Sequence, residues 1–183
     1  MTPAASVSGD ERLRLFLALR LPDRVLNRVE VWQRTHLPNV RGVPREHLHI
    51  TLAFLGHRPA GELESIVGAL RDAAAASGEI RLTPMCYRET RSVGMVVLED
   101  DRDQASLLAG DVQERLERLG VYRREGRPWL PHLTVARWSE RPRLRLAPPP
   151  VRTFVPSDAA AYLSRLHPGG ARYEVLESVA LGG

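Results

Sequence analysis

The chain has 183 residues, 43% hydrophobic and 26% charged, enough for one domain with a core or for one domain built from two similar lobes sharing a core. A single cysteine, Cys86, excludes an intramolecular disulfide and a cysteine-rich metal site and points to a reducing cytoplasm, and no apolar run approaches the roughly 18 residues that span a bilayer. All 26 basic residues are arginine, against 22 acidic ones; the absence of lysine excludes a P-loop and any lysyl-AMP or Schiff-base mechanism, and the guanidinium excess suits a phosphate-bearing partner, although a GC-rich genome also accounts for it.

Residues 1–11 are small and polar, with neither the basic start nor the apolar stretch of a secretory leader, and are expected as a disordered tail before a single unit over 12–183. Leu13–Leu19 is a short apolar run closed by Leu21-Pro22 and predicts a buried strand. Pro22 suits the first turn of a helix carrying Val25, Val29 and Trp32 to about His36. His47–Leu55 alternates and predicts a strand ended by Gly56, and residues 60–77 predict a helix stopped by Gly78.

Strands follow at Ile80–Tyr87 and Gly94–Leu98, then a helix over Arg102–Leu119 stopped by Gly120. Leu130–Trp138 predicts a strand, and the Pro- and Arg-rich stretch Ser139–Arg152 an extended connector. Thr153–Leu166 and Arg172–Leu181 predict a final hairpin around His167-Pro168-Gly169-Gly170. Helices and strands mix without the strict alternation of a doubly wound sheet, so the expected class is α+β with mainly antiparallel pairing.

One pattern occurs twice. His49-Ile50-Thr51-Leu52 and His132-Leu133-Thr134-Val135 each read His, apolar, Thr, apolar. Residues two apart on a strand share a face, so each copy offers an imidazole and a hydroxyl on one side and packs its apolar pair on the other. Two such strands related by an approximate two-fold would hold a phosphate between them. Opening a cyclic phosphodiester with water needs one proton removed and one delivered, and imidazole does either near neutral pH. The threonines would hold non-bridging oxygens, and Arg137 would neutralise the charge that develops on phosphorus. Strand parity places Arg137 opposite to His132 and Thr134, so its role requires a bend, a bulge or an end in the strand.

The remaining residues carry weaker signals. His47 shares parity with His49, and a His-x-His pair is also a metal chelate. No third ligand stands at a suitable spacing, so a place at the groove rim is expected and no metal. Trp129 and Trp138 bracket the second motif and are expected to pack in the core, with base stacking as the alternative. Arg123-Arg124-Glu125-Gly126-Arg127 is either a loop reaching RNA phosphates or a solvated loop.

These residues resemble the 2H phosphoesterase family, in particular its RNA 2′,3′-cyclic phosphodiesterases, also called 2′-5′ RNA ligases. The resemblance rests on Arg14–Leu19 with Leu21-Pro22, His49–Gly56, Pro131–Arg137, and Tyr162-Leu163-Ser164 with Arg172-Tyr173. It implies a bilobal fold, with two pseudo-symmetric lobes of mainly antiparallel sheet lining a central cleft and helices outside.

It also implies cofactor-free hydrolysis of a 2′,3′-cyclic phosphate to a 2′-phosphate, with possible weak ATP-independent 2′-5′ ligation. His49 would be the acid and His132 the base. Thr51, Thr134 and Arg137 would bind phosphate, and Phe16 would lie near the base. The expected partners are RNA ends or cyclic nucleotides, with no membrane and no obligatory protein partner, for a cytoplasmic monomer. Gly42 replaces a frequent family Trp, and Val93 replaces an Arg. The alternatives are a phosphodiesterase for another cyclic nucleotide-type metabolite and a non-catalytic RNA-end-binding module.

Overall fold

A computed structural model of the chain describes residues 11–182. The tail expected at 1–11 lies outside them except for Glu11, whose carbonyl accepts the Ala60 N–H at 2.8 Å. The elements are β1 (Arg12–Arg20), α1 (Asp23–His36), β2 (Arg41–Gly42), β3 (His49–Pro59), α2 (Leu63–Ala76), β4 (Leu82–Glu89), β5 (Val93–Asp100), α3 (Gln104–Arg118), β6 (His132–Arg137), β7 (Asp158–His167) and β8 (Gly170–Val179). They build two four-stranded antiparallel sheets, in the orders β3-β1-β7-β8 and β2-β6-β5-β4. The class is the expected α+β, with two similar lobes and, among the described residues, no closed barrel.

The apolar run of β1 follows from its place between β3 and β7, with both faces covered. Leu13, Leu15, Leu17 and Leu19 enter the main core. On the other face Phe16 and Ala18 join Ala160 and Tyr162 in a second, smaller cluster. The helices bury stripes at three- and four-residue spacing: Val25, Val29 and Trp32 on α1, Ile66, Val67 and Leu70 on α2, and Leu108, Val112 and Leu116 on α3. These stripes and the inner faces of both sheets form one continuous apolar core. No helix among the described residues is long and apolar enough to cross a membrane.

Several boundaries differ from expectation for local reasons. β3 starts at His49, because Arg45–His47 forms a 3-10 turn. Arg45 holds that turn against α1 through Asp23, Asn27 and Glu30. Gly56 does not end β3. It sits inside the strand at φ 66°, next to a bulge at Leu55, and pairing continues to Pro59. β7 begins at Asp158, since Pro156 has no N–H to give a ladder, and upstream of it Phe154 alone bridges to Leu82. The two-residue β2 is too short to show any periodicity.

Candidate active site

The two motif strands carry the same irregularity at the same place. Against β1, His49, Ile50 and Thr51 pair in step with Arg20, Leu19 and Ala18, but the next partners are Leu17 and Ala53, so Leu52 is an extra residue. Against β5, His132, Leu133 and Thr134 pair with Val97, Val96 and Met95, and then Gly94 faces Ala136, leaving Val135 extra. Burial repeats too: partly buried His, buried apolar, partly buried Thr, two buried residues, then an exposed one, along both 49–54 and 132–137. Each bulge reverses parity. Arg137 therefore emerges on the face of His132 and Thr134, and its counterpart in β3 is Phe54.

Both imidazoles are oriented alike. His49 Nδ1 lies 2.7 Å from the His47 carbonyl and His132 Nδ1 lies 2.8 Å from the Leu130 carbonyl, two residues upstream in each case. A carbonyl only accepts, so Nδ1 of each ring carries the proton it donates, and Nε2 is left to exchange a proton with a ligand. Burial is the main cause that pushes His49 down to about 4. The His47 hydrogen bond opposes this, while Arg137, His47 and His132 add further depression through their charge. Arg137 and both other histidines thus act on His49 across one site.

Two buried glutamines, absent from the sequence reading, brace the bulges crosswise. Gln113 of α3 donates to the Leu52 carbonyl at 2.9 Å, beside Trp129 Nε1, which donates to the Thr51 carbonyl at 3.0 Å. Gln33 of α1 donates to the Val135 carbonyl at 2.7 Å and the Val43 carbonyl at 3.0 Å. Each helix follows one lobe's inner strand and serves the motif strand of the other lobe. The available signal was a glutamine inside each otherwise apolar helical stripe, since a polar group there needs a buried partner.

The sheet around His49 is aromatic. Phe16 lies 4.8 Å from the His49 ring, stacks on Tyr162 at 4.7 Å and meets Tyr173 edge-on at 4.9 Å. Burial pushes the Tyr162 hydroxyl up to about 12, so it stays a neutral phenol. His47 packs on Tyr173 at 4.4 Å, and its carbonyl is the one that orients His49. Trp129 and Trp138 pack, partly buried, against the main core, as expected, with their indole N–H groups on carbonyls. Gly42 and Val93, the two departures from the family pattern, pair with Ala136 and Arg137 at the end of the second motif. No group of three His, Cys, Asp or Glu side chains among the described residues is placed to hold a metal ion.

The comparisons with known proteins point to one group. The family model described as the 2′-5′ RNA ligase superfamily matches residues 21–167. A protein of Escherichia coli (strain K12) named RNA 2′,3′-cyclic phosphodiesterase is 28% identical over 182 residues, covering 93% of this chain and 98% of its own length. The crystal structure of a Thermus thermophilus protein, TT0787, superposes with a TM-score of 0.78 at 30% identity, over 93% of this chain and 99% of that one. Apo E. coli LigT gives 0.79 at 25% identity, over 95% and 100%.

Proposed function

Because this chain belongs to the 2′-5′ RNA ligase superfamily, we propose that it is an enzyme that hydrolyses the 2′,3′-cyclic phosphate at an RNA end to a 2′-phosphate. The observation that carries the reading is the pair of identically oriented histidines on identically bulged strands, each with a threonine two residues on and with Arg137 on the same face. Homologues named for this activity support the reaction class.

The reaction follows from the free Nε2 atoms. His132 Nε2 takes a proton from water, the water oxygen bonds to phosphorus, the bond from phosphorus to O3′ breaks, and His49 Nε2 gives its proton to O3′. The product carries a 2′-phosphate and a 3′-hydroxyl. Exchange with solvent returns both rings to their starting states. Thr51 and Thr134 donate hydroxyl hydrogens to the non-bridging oxygens, and Arg137 opposes the negative charge that grows on them. Phe16, with Tyr162 and Tyr173, offers the terminal base an apolar wall, and His47 borders it. When the 5′-hydroxyl of a second RNA replaces water, the same steps form a 2′-5′ linkage.

His49 is neutral at pH 7. A bound phosphate anion opposes the field of Arg137 and draws a proton onto His49, which meets the requirement on an acid. The depressed value also favours an exchanged assignment, with His49 as base. A diester with an activated leaving group separates the two, because only the variant lacking the acid recovers turnover on it.

The experiment is incubation of the protein with 2′,3′-cyclic AMP and with a short RNA bearing a 2′,3′-cyclic end, in EDTA, and identification of the product by chromatography. A 2′-phosphate is expected. A 3′-phosphate, or no turnover of either substrate, overturns the reading.

A further inference from the structure

The face of the first sheet that carries His49 continues outward past the aromatic wall. Alternate residues of a strand share a face, and so do residues directly opposite each other on paired strands. On β1 the sequence away from the histidine is therefore Arg20, Ala18, Phe16, Arg14. Phe54 lies opposite Phe16, and Arg14 reaches Ser164 on β7. Arg14 stands four residues beyond Ala18, the partner of Thr51, which is about 13 Å along the strand. That is too far for the group held at Thr51 and within reach of the chain leading to it.

The chemistry of this outer position is unlike the rest of the face. Arg20, at the His49 end, is locked by Asp158 through two hydrogen bonds of 2.6 and 2.5 Å. Arg14 has no carboxylate partner among the described residues. Its guanidinium lies 4.8 Å from the centroid of the Phe54 ring and donates to Ser164 Oγ at 2.7 Å. Ser164 is only 4% exposed, so the hydroxyl fixes the guanidinium from below, whereas Phe54 is 49% exposed and its ring is open to a ligand. A fork with one donor anchored and others free suits a phosphate, and an exposed ring suits the π-face of a base. Where the second lobe presents Arg137, the first presents this ring.

We propose that Arg14, Phe54 and Ser164 form a subsite for the nucleotide preceding the cyclic end, with Arg14 on its phosphate and Phe54 under its base. The subsite makes the protein prefer an oligoribonucleotide over a cyclic mononucleotide. It rests on the reading of the groove as an RNA-end site, and turnover of 2′,3′-cyclic AMP by the unaltered protein tests that reading separately.

The test measures dissociation constants of adenosine 2′-monophosphate and of a tetraribonucleotide ending in a 2′-phosphate, for the unaltered protein, Arg14→Gln and Phe54→Ala. Each substitution is expected to weaken the tetranucleotide about tenfold, the effect of one lost stack or charged contact, and the mononucleotide less than twofold. Arg14→Gln is further expected to flatten the salt dependence of tetranucleotide binding by about 0.7 in log–log slope, the share of one single-strand phosphate, which loss of a merely structural contact leaves alone. Equal weakening of both ligands, or unchanged tetranucleotide binding in both variants, overturns the proposal.

Discussion

His49 carries an electrostatic consequence that reaches from one residue to the stability of the whole chain. Its ring is held neutral by burial, with Arg137 and His132 adding to the effect. A histidine in the unfolded chain titrates near 6.5, and in the folded protein His49 titrates at about 4. Between those values the unfolded state binds more protons. The contribution is therefore complete above pH 6.5 and is lost as pH falls to 4, amounting to about 3 kcal/mol. An NMR titration of the His49 ring is expected to show a midpoint near 4 that rises in Arg137→Gln, since removing a cation favours the imidazolium. The stability measured by chemical denaturation is expected to fall less steeply between pH 7 and 4.5 in His49→Gln than in the unaltered protein. A midpoint near 6.5 would contradict this picture. The depression itself could not be read from the His-x-Thr pattern, because it comes from atoms contributed by β1, β7, β8 and the other lobe.

The decisive elements are the two bulged strands. Their alternation was legible, and so was the need for an irregularity before Arg137, since parity alone puts that residue on the wrong face. Where the extra residue falls was not legible, because Leu52-Ala53 and Val135-Ala136 are apolar pairs that sit equally well in a regular strand or a bulge. The same blindness made Gly56 look like a terminator when it lies inside β3. The structure resolves the position through the carbonyls that the bulges turn outward. Gln113 covers Leu52 and Gln33 covers Val135. Gln113→Leu leaves the Leu52 carbonyl without this donor and is expected to cost about 1–3 kcal/mol in chemical denaturation. Inorganic phosphate binding is expected to weaken as well, as Thr51 loses its fixed place. Full stability together with full phosphate affinity in this variant would show that the brace is dispensable.

Over the whole molecule, the repetition of His, apolar, Thr, apolar foretold two similar lobes, because one pattern needs one local structure. What joins them was hidden. The crosswise glutamines, the Trp129 hydrogen bond to Thr51 and the Trp32 hydrogen bond to Ala147 in the connector are contacts between distant parts of the chain that leave no periodic trace. The lobes also differ where function would demand it. At equivalent positions one shows Phe54 and the other Arg137, and among the described residues only the first lobe has an aromatic wall beside its histidine. A paired acid and base of the proposed kind works as a unit, so its two halves should not contribute independently. The measurement that tests this most directly is kcat/KM on a 2′,3′-cyclic phosphate for His49→Ala, His132→Ala and the double variant. Each single substitution is expected to lower it by at least about 10²-fold, and the double to lose much less than the product of the two. Near-normal activity in either single variant would contradict the paired acid and base.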